Sequence, residues 1–72
     1  MAFNYNKLKG RIIEIWGSQK AFAHAMGMSE KTTSNKLSGK IAWNQEEICL
    51  SLEVLDLSVN DIPDYFFTTK VQ

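Results

Sequence analysis

A single cysteine, Cys49, among 72 residues excludes an internal disulfide. Lying between Ile48 and Leu50, it is expected to be a small buried hydrophobe on a packed helix. Glu46, Glu47 and Glu53 surround it in sequence, and they offer none of the basic surroundings that activate a thiol. No apolar run reaches the roughly 18 residues that a membrane span requires. The start, MAFNYNKLKG, lacks the apolar core and small-residue cleavage site of a signal peptide, so a cytoplasmic location is expected. The only histidine, His24, has no second histidine or nearby cysteine at ligand spacing, so no metal is expected. Nothing resembles a nucleophile elbow or a paired-carboxylate site, and so small a core leaves no sizeable substrate pocket. Neither enzymatic activity nor a cofactor, small-molecule substrate or membrane partner is expected. Net charge is zero, which taken alone argues against nucleic acid.

The zero conceals a division. Residues 1–40 carry Lys7, Lys9, Arg11, Lys20, Lys31, Lys36 and Lys40 against Glu14 and Glu30, a net of +5. Residues 41–72 carry Lys70 against Glu46, Glu47, Glu53, Asp56, Asp61 and Asp64, a net of −5. The chain is a charge dipole along its sequence, and such fields steer association even where net charge vanishes. Hydrophobic residues at 44% suffice for one small core and set the chain apart from disordered sequences.

Apolar spacing predicts five helices and no strand, an all-α fold. The first runs from about Tyr5 to Trp16, with Leu8, Ile12, Ile15 and Trp16 as its buried stripe, Asn4 as N-cap and Gly17 in the left-handed position after it. Lys7, Lys9 and Arg11 are expected in solvent. The second spans Gln19 to Met26, capped by Ser18 and ended by Gly27, with Phe22, Ala23 and Met26 facing inward. The third follows Ser29 and ends at Leu37 or Ser38 before Gly39. Ile41 and Trp43, in the next loop, are too apolar for solvent and are expected to close the core, as is Trp16. Asn44 and Glu47 have capping-box spacing at the start of a fourth helix, whose inward residues are Ile48, Leu52 and Leu55. Ser58 and Asp61 form a similar pair before a short fifth element, where Pro63 allows a turn or two of helix. Tyr65, Phe66 and Phe67 are expected to fold back onto the core. This gives one domain over residues 1–67, with a helix-turn-helix over 18–39, and a short flexible tail over 68–72.

The stretch QKAFAHAMGMSEKTTSNKLSG, Gln19 to Gly39, joins two short helices at Gly27, four residues after Ala23. Helices that cross steeply need a small residue where their backbones approach, and the sharp turn needs one that tolerates positive φ. With Gln19, Ala23, Gly27, Met28 and the closing LSGK, the chain resembles the lambda-repressor-like (Cro/C1-type) helix-turn-helix domains of temperate phages over roughly residues 6–57. Its length, the YNKLKGRI start and the IPDYFF tail are most similar to the small anti-repressor regulators of lactococcal phages.

The resemblance implies a five-helix DNA-binding fold acting in the cytoplasm of a bacterial host. It implies that Gln19 touches a phosphate, that Glu30 and Lys31 sit where base edges are read, and that Ser34 and Asn35 face the groove. Lys36 and Lys40 become candidate phosphate contacts. The departures point elsewhere. The reading helix has no arginine and opens on Glu30, Thr33 replaces an aliphatic core residue, and the fourth helix opens with Glu46 and Glu47 where relatives approach DNA. Each missing cationic contact removes one released counterion, so weak DNA affinity is expected.

Two functions remain. One is a Cro-like, sequence-specific repressor that binds operator DNA by itself. The other, favoured by the acidic half, is an anti-repressor that binds the phage's main lysogenic (CI-type) repressor. Its contact would be the repressor's N-terminal DNA-binding domain, met through Glu46 and Glu47 or through Glu30 and its polar neighbours. Such a protein favours lytic growth and binds operator DNA weakly or jointly with the repressor.

Overall fold

The structure, a computed structural model, describes residues 3–69. Its elements are α1 (Asn6–Trp16), α2 (Gln19–Met26), α3 (Glu30–Leu37), α4 (Gln45–Val54), a 3-10 turn (Val59–Asp61) and α5 (Ile62–Phe66). This is the all-α, five-helix architecture that the apolar spacing predicts. No strand forms among the described residues. One isolated antiparallel bridge joins Phe3 to Thr69, and Asn4 N–H donates to Thr68 O at 2.6 Å. Two residues assigned from sequence to a loose tail are thus paired with the chain's beginning; 70–72 lie outside the described residues. No helix among those described is long and apolar enough to cross a membrane.

Local chemistry accounts for the helix boundaries. Ser18 Oγ accepts from Ala21 N–H, and Ser29 Oγ accepts from Thr32 N–H, both at 3.1 Å. Asn44 and Glu47 exchange side-chain to backbone hydrogen bonds in both directions, a complete capping box. Ser58 and Asp61 form a second one, and Pro63 lies in the first turn of α5, where a missing N–H costs nothing. Asn4 acts slightly later than expected: its Oδ1 accepts from Asn6 N–H at 2.8 Å, while Tyr5 holds the N-cap position. Gly27, between α2 and α3, has φ of 70°, a left-handed conformation that an L side chain would strain.

The core is Tyr5, Leu8, Ile12, Phe22, Met26, Leu37, Leu55 and Phe66, with Trp43 and Ile48 packed against it. Trp43 meets Phe66 edge-on at 5.2 Å and Tyr5 at 6.5 Å.

Several residues depart from the positions that periodicity assigns. In α1 the buried stripe is Tyr5, Leu8 and Ile12, whereas Ile15 is 42% and Trp16 38% exposed. The reason is Arg11, which shares Ile15's face. It leaves solvent to donate from Nε to Leu55 O and from Nη2 to Asp56 O, capping the end of α4. That face therefore meets the polar end of a helix and not the core. Trp16 lies at the same edge, its indole N–H donating to Val54 O at 2.9 Å.

Ile41 and Phe67 are also exposed. Ile41 N–H is bound to Asn35 O, which ties its backbone to the end of α3, and Trp43 fills the core site alone. Cys49 is exposed, not buried. The inward arc of α4 runs through Ile48, Ser51, Leu52 and Leu55, and at about 100° per residue Cys49 falls outside it. Thr33 is fully buried in an aliphatic position. It keeps its hydroxyl satisfied by donating to Ser29 O at 3.0 Å, so α3 packs without an unpaired polar group.

Candidate interaction surface on helices α2, α3 and α4

Serine caps hold α2 and α3 in place, and the Gly27–Met28–Ser29 turn joins them. Gln19 is exposed at the first position of α2. Glu30 and Lys31 are exposed in the first turn of α3, Ser34 is exposed one turn later, and Asn35 is half-buried beside it. Lys40 is exposed just beyond Gly39. Ser18 and Lys20, on either side of Gln19, line one open groove with Glu30 and His24; Trp16, Ala21, Ala23 and Met28 form its apolar wall. The groove holds about 670 Å³. Glu30, Lys31 and Ser34 share the outward side of α3, opposite Thr33, Lys36 and Leu37, and of the residues expected at the site only Glu30 lines the groove. Sequence spacing did not reveal the groove, because Trp16 reaches it only by leaving the core.

Lys36 departs from the role the resemblance implies. It is only 5% exposed, so its ammonium is not offered to a phosphate. Nζ lies 2.8 Å from Glu47 Oε1 and donates to Ala42 O at 2.9 Å. Thr33, Lys36 and Leu37 share the inward face of α3, at i, i+3 and i+4. A buried cation needs a partner, and the capping box of α4 holds that partner in place. Glu47 is equally committed: it caps α4 and pairs with Lys36, which leaves Glu46 as the free carboxylate of that turn.

The Glu47 carboxyl feels opposing influences. Burial raises its pKa, while the Asn44 backbone N–H and the Lys36 ammonium lower it, and the net result is below the ordinary value. A carboxylate depressed in the folded state stabilises fully above the unfolded chain's value, and this contribution is lost as pH falls through the folded one. The thermal midpoint is therefore expected to fall on acidification through and below the ordinary glutamate range. In Glu47→Gln that part of the pH dependence should flatten, as followed by circular dichroism melts across an acid series. An equally steep acid loss in the variant would place the titration elsewhere.

The remaining ion pairs offset further charge at the surface. Lys7 pairs with Asp64 and stands over the Tyr65 ring, and Arg11 pairs with Glu14. Asp61 is occupied by its capping box. Among the described residues this leaves Lys9, Lys20, Lys31 and Lys40 against Glu30, Glu46, Glu53 and Asp56 without an ion-pair partner. The outward start of α3 therefore presents one cation, Lys31, beside one anion, Glu30. Both Glu30 and Glu46 stand in the first turn of a helix, where the helix dipole favours an anion by about 0.3–1 kcal/mol.

Comparison with known proteins gives a consistent picture. No protein with a curated description matches the chain. Among solved structures, it is similar to the modulator of repression (MOR) of the temperate bacteriophage TP901-1 from Lactococcus lactis. The two share 47% sequence identity and superpose with a TM-score of 0.83, over 100% of this chain and 97% of that one. The family described as "Protein of unknown function (DUF739)" matches residues 1–69, and the chain belongs to that family.

Proposed function

We propose that this protein modulates repression in a phage genetic switch, without enzymatic chemistry, by binding the phage's main lysogenic repressor. The contact is with the repressor's N-terminal DNA-binding domain, and it favours lytic growth. The protein's own affinity for operator DNA is weak, or is expressed jointly with the repressor. The observation that carries this reading is the near-neutral outward face of α3. Glu30 offsets Lys31 there, and Lys36 is turned inward onto Glu47. A helix that must hold a polyanion gains most of its affinity from cations that release counterions, and this one offers few. The similarity to a modulator of repression supports the same reading.

The mechanism is charge complementarity. A domain that grips DNA must present a basic, groove-reading face. Glu30 with Gln19, Ser34 and Asn35, together with Glu46 at the start of α4, can meet that face with carboxylates and hydrogen-bonding groups. Occupying it blocks the operator. Lys31 and Lys40 remain available to touch DNA phosphates in a joint complex.

Size-exclusion chromatography of this chain mixed with the same phage's repressor N-terminal domain should give a co-eluting complex. A gel-shift titration of operator DNA by this chain alone should show weak binding. Nanomolar operator binding by the isolated chain in physiological salt would favour the autonomous Cro-like repressor instead. Such a reader, making about six phosphate contacts, would lose roughly a thousandfold in affinity between 50 and 200 mM salt.

A further inference from the structure

The outer face of α4 mixes apolar and acidic residues. With the inward arc centred on Ile48, Ser51, Leu52 and Leu55, the opposite arc carries Glu46, Cys49, Leu50 and Glu53. These stand at i, i+3, i+4 and i+7, so they form one continuous stripe. All four are exposed, Leu50 by 37%. The stripe has an apolar centre, Cys49 and Leu50, with a carboxylate one turn to either side. Neither Glu46 nor Glu53 has an ion-pair partner among the described residues. Asp56, just past the end of the helix, adds a third unpaired carboxylate. Of the other acidic residues described after residue 40, Glu47 and Asp61 are engaged within the fold, and Asp64 stands at the surface facing Lys7 at 3.8 Å. The anionic half of the charge dipole is thereby concentrated on this one helix and its end.

We infer that the Glu46–Cys49–Leu50–Glu53 face of α4 is a docking surface for the repressor's DNA-reading side. Its occupant is a basic segment with an apolar side chain between its cations. The inference rests on the function proposed above and names the surface that function uses. Charge complementarity selects the occupant: two carboxylates about two turns apart match lysine or arginine side chains, and Leu50 with Cys49 receives the apolar residue between them. A nucleic acid is repelled by the same stripe, and a second copy of this face carries the same charges.

Cys49 supplies the test, because it is the chain's only thiol and it lies at the centre of the stripe. The rate of alkylation by a bulky maleimide is measured on the full chain, alone and saturated with the repressor's N-terminal domain. Alkylation should slow at least about tenfold in the complex, and prior alkylation should weaken complex formation by a similar factor. Glu53→Lys, whose native side chain makes no contact the fold depends on, should weaken the complex about tenfold while leaving the melting curve unchanged. A complex that co-elutes normally yet leaves Cys49 reacting at the free rate overturns this surface while leaving the anti-repressor reading in place. Absence of any complex overturns both.

Discussion

Glu47→Ala is expected to lower the unfolding free energy by about 3 kcal/mol, and Lys36→Met combined with Glu47→Gln to recover most of that loss. Alanine at 47 removes two things together. The backbone N–H of Asn44 loses its acceptor, and the Lys36 ammonium is left buried with Ala42 O and the Trp43 ring face but no counterion. Losing one arm of a cap costs about 1 kcal/mol. A buried cation without its counterion costs more, typically 3–5 kcal/mol for a fully buried pair. The Glu47 side chain is 21% exposed, so water relieves part of that penalty, and the lower end of the range applies. The double variant removes both charges and keeps the volumes, so only the cost of the lost hydrogen bonds should remain. Urea unfolding of the wild type, Lys36→Met, Glu47→Gln and the double variant completes the cycle, with Glu47→Ala measured beside it. A coupling energy indistinguishable from zero would mean that the pair ties α3 to α4 only in geometry and not in energy.

That pair also marks how far sequence reasoning reaches in this molecule. Ser18, Ser29, Asn44 with Glu47, and Ser58 with Asp61 are all legible, because a cap acts over three residues and needs nothing distant. Phe22, Ala23 and Met26 are legible because α2 is short and bounded on both sides. The inward turn of Lys36 is harder. Its phase places it with Thr33 and Leu37, but its chemistry argues for water, and only a carboxylate eleven residues away resolves the conflict. Arg11 misleads in the same way: its chemistry argues for solvent on a basic helix, yet the carbonyls at the end of α4, more than forty residues on, draw it inward and displace Ile15. Cys49 fails for the opposite reason. Its apolar chemistry suggests burial, while its phase on α4, about 100° beyond Ile48, puts it outside the inward arc. For Lys36 and Arg11 the residue type suggested one environment, and a partner distant in sequence set the other.

Reversing both outward carboxylates, in the double variant Glu30→Lys with Glu46→Lys, should move two affinities in opposite directions. Both residues are exposed, and neither forms an ion pair among the described residues, so the fold itself should lose only the small helix-dipole contribution at each site. For DNA, each lysine that reaches a phosphate adds about 0.9 to the slope of log affinity against log salt. Near physiological salt, two such contacts amount to roughly a twentyfold gain in non-specific binding. For the repressor domain the same change sets like charge against a basic face, where juxtaposition costs several kcal/mol at close range. A loss of about 2 kcal/mol, or roughly thirtyfold in Kd, is expected. Fluorescence titrations of the variant against a random duplex and against the repressor domain, at several salt concentrations, read both effects. The pairing of a gain with a loss is what gives the experiment its force, because simple destabilisation would weaken both interactions together. Unchanged repressor affinity would remove both carboxylates from the interface. Unchanged DNA affinity would mean that the starts of α3 and α4 do not approach a duplex at all, and any DNA contact would then have to come from Lys9, Lys20 or Lys40.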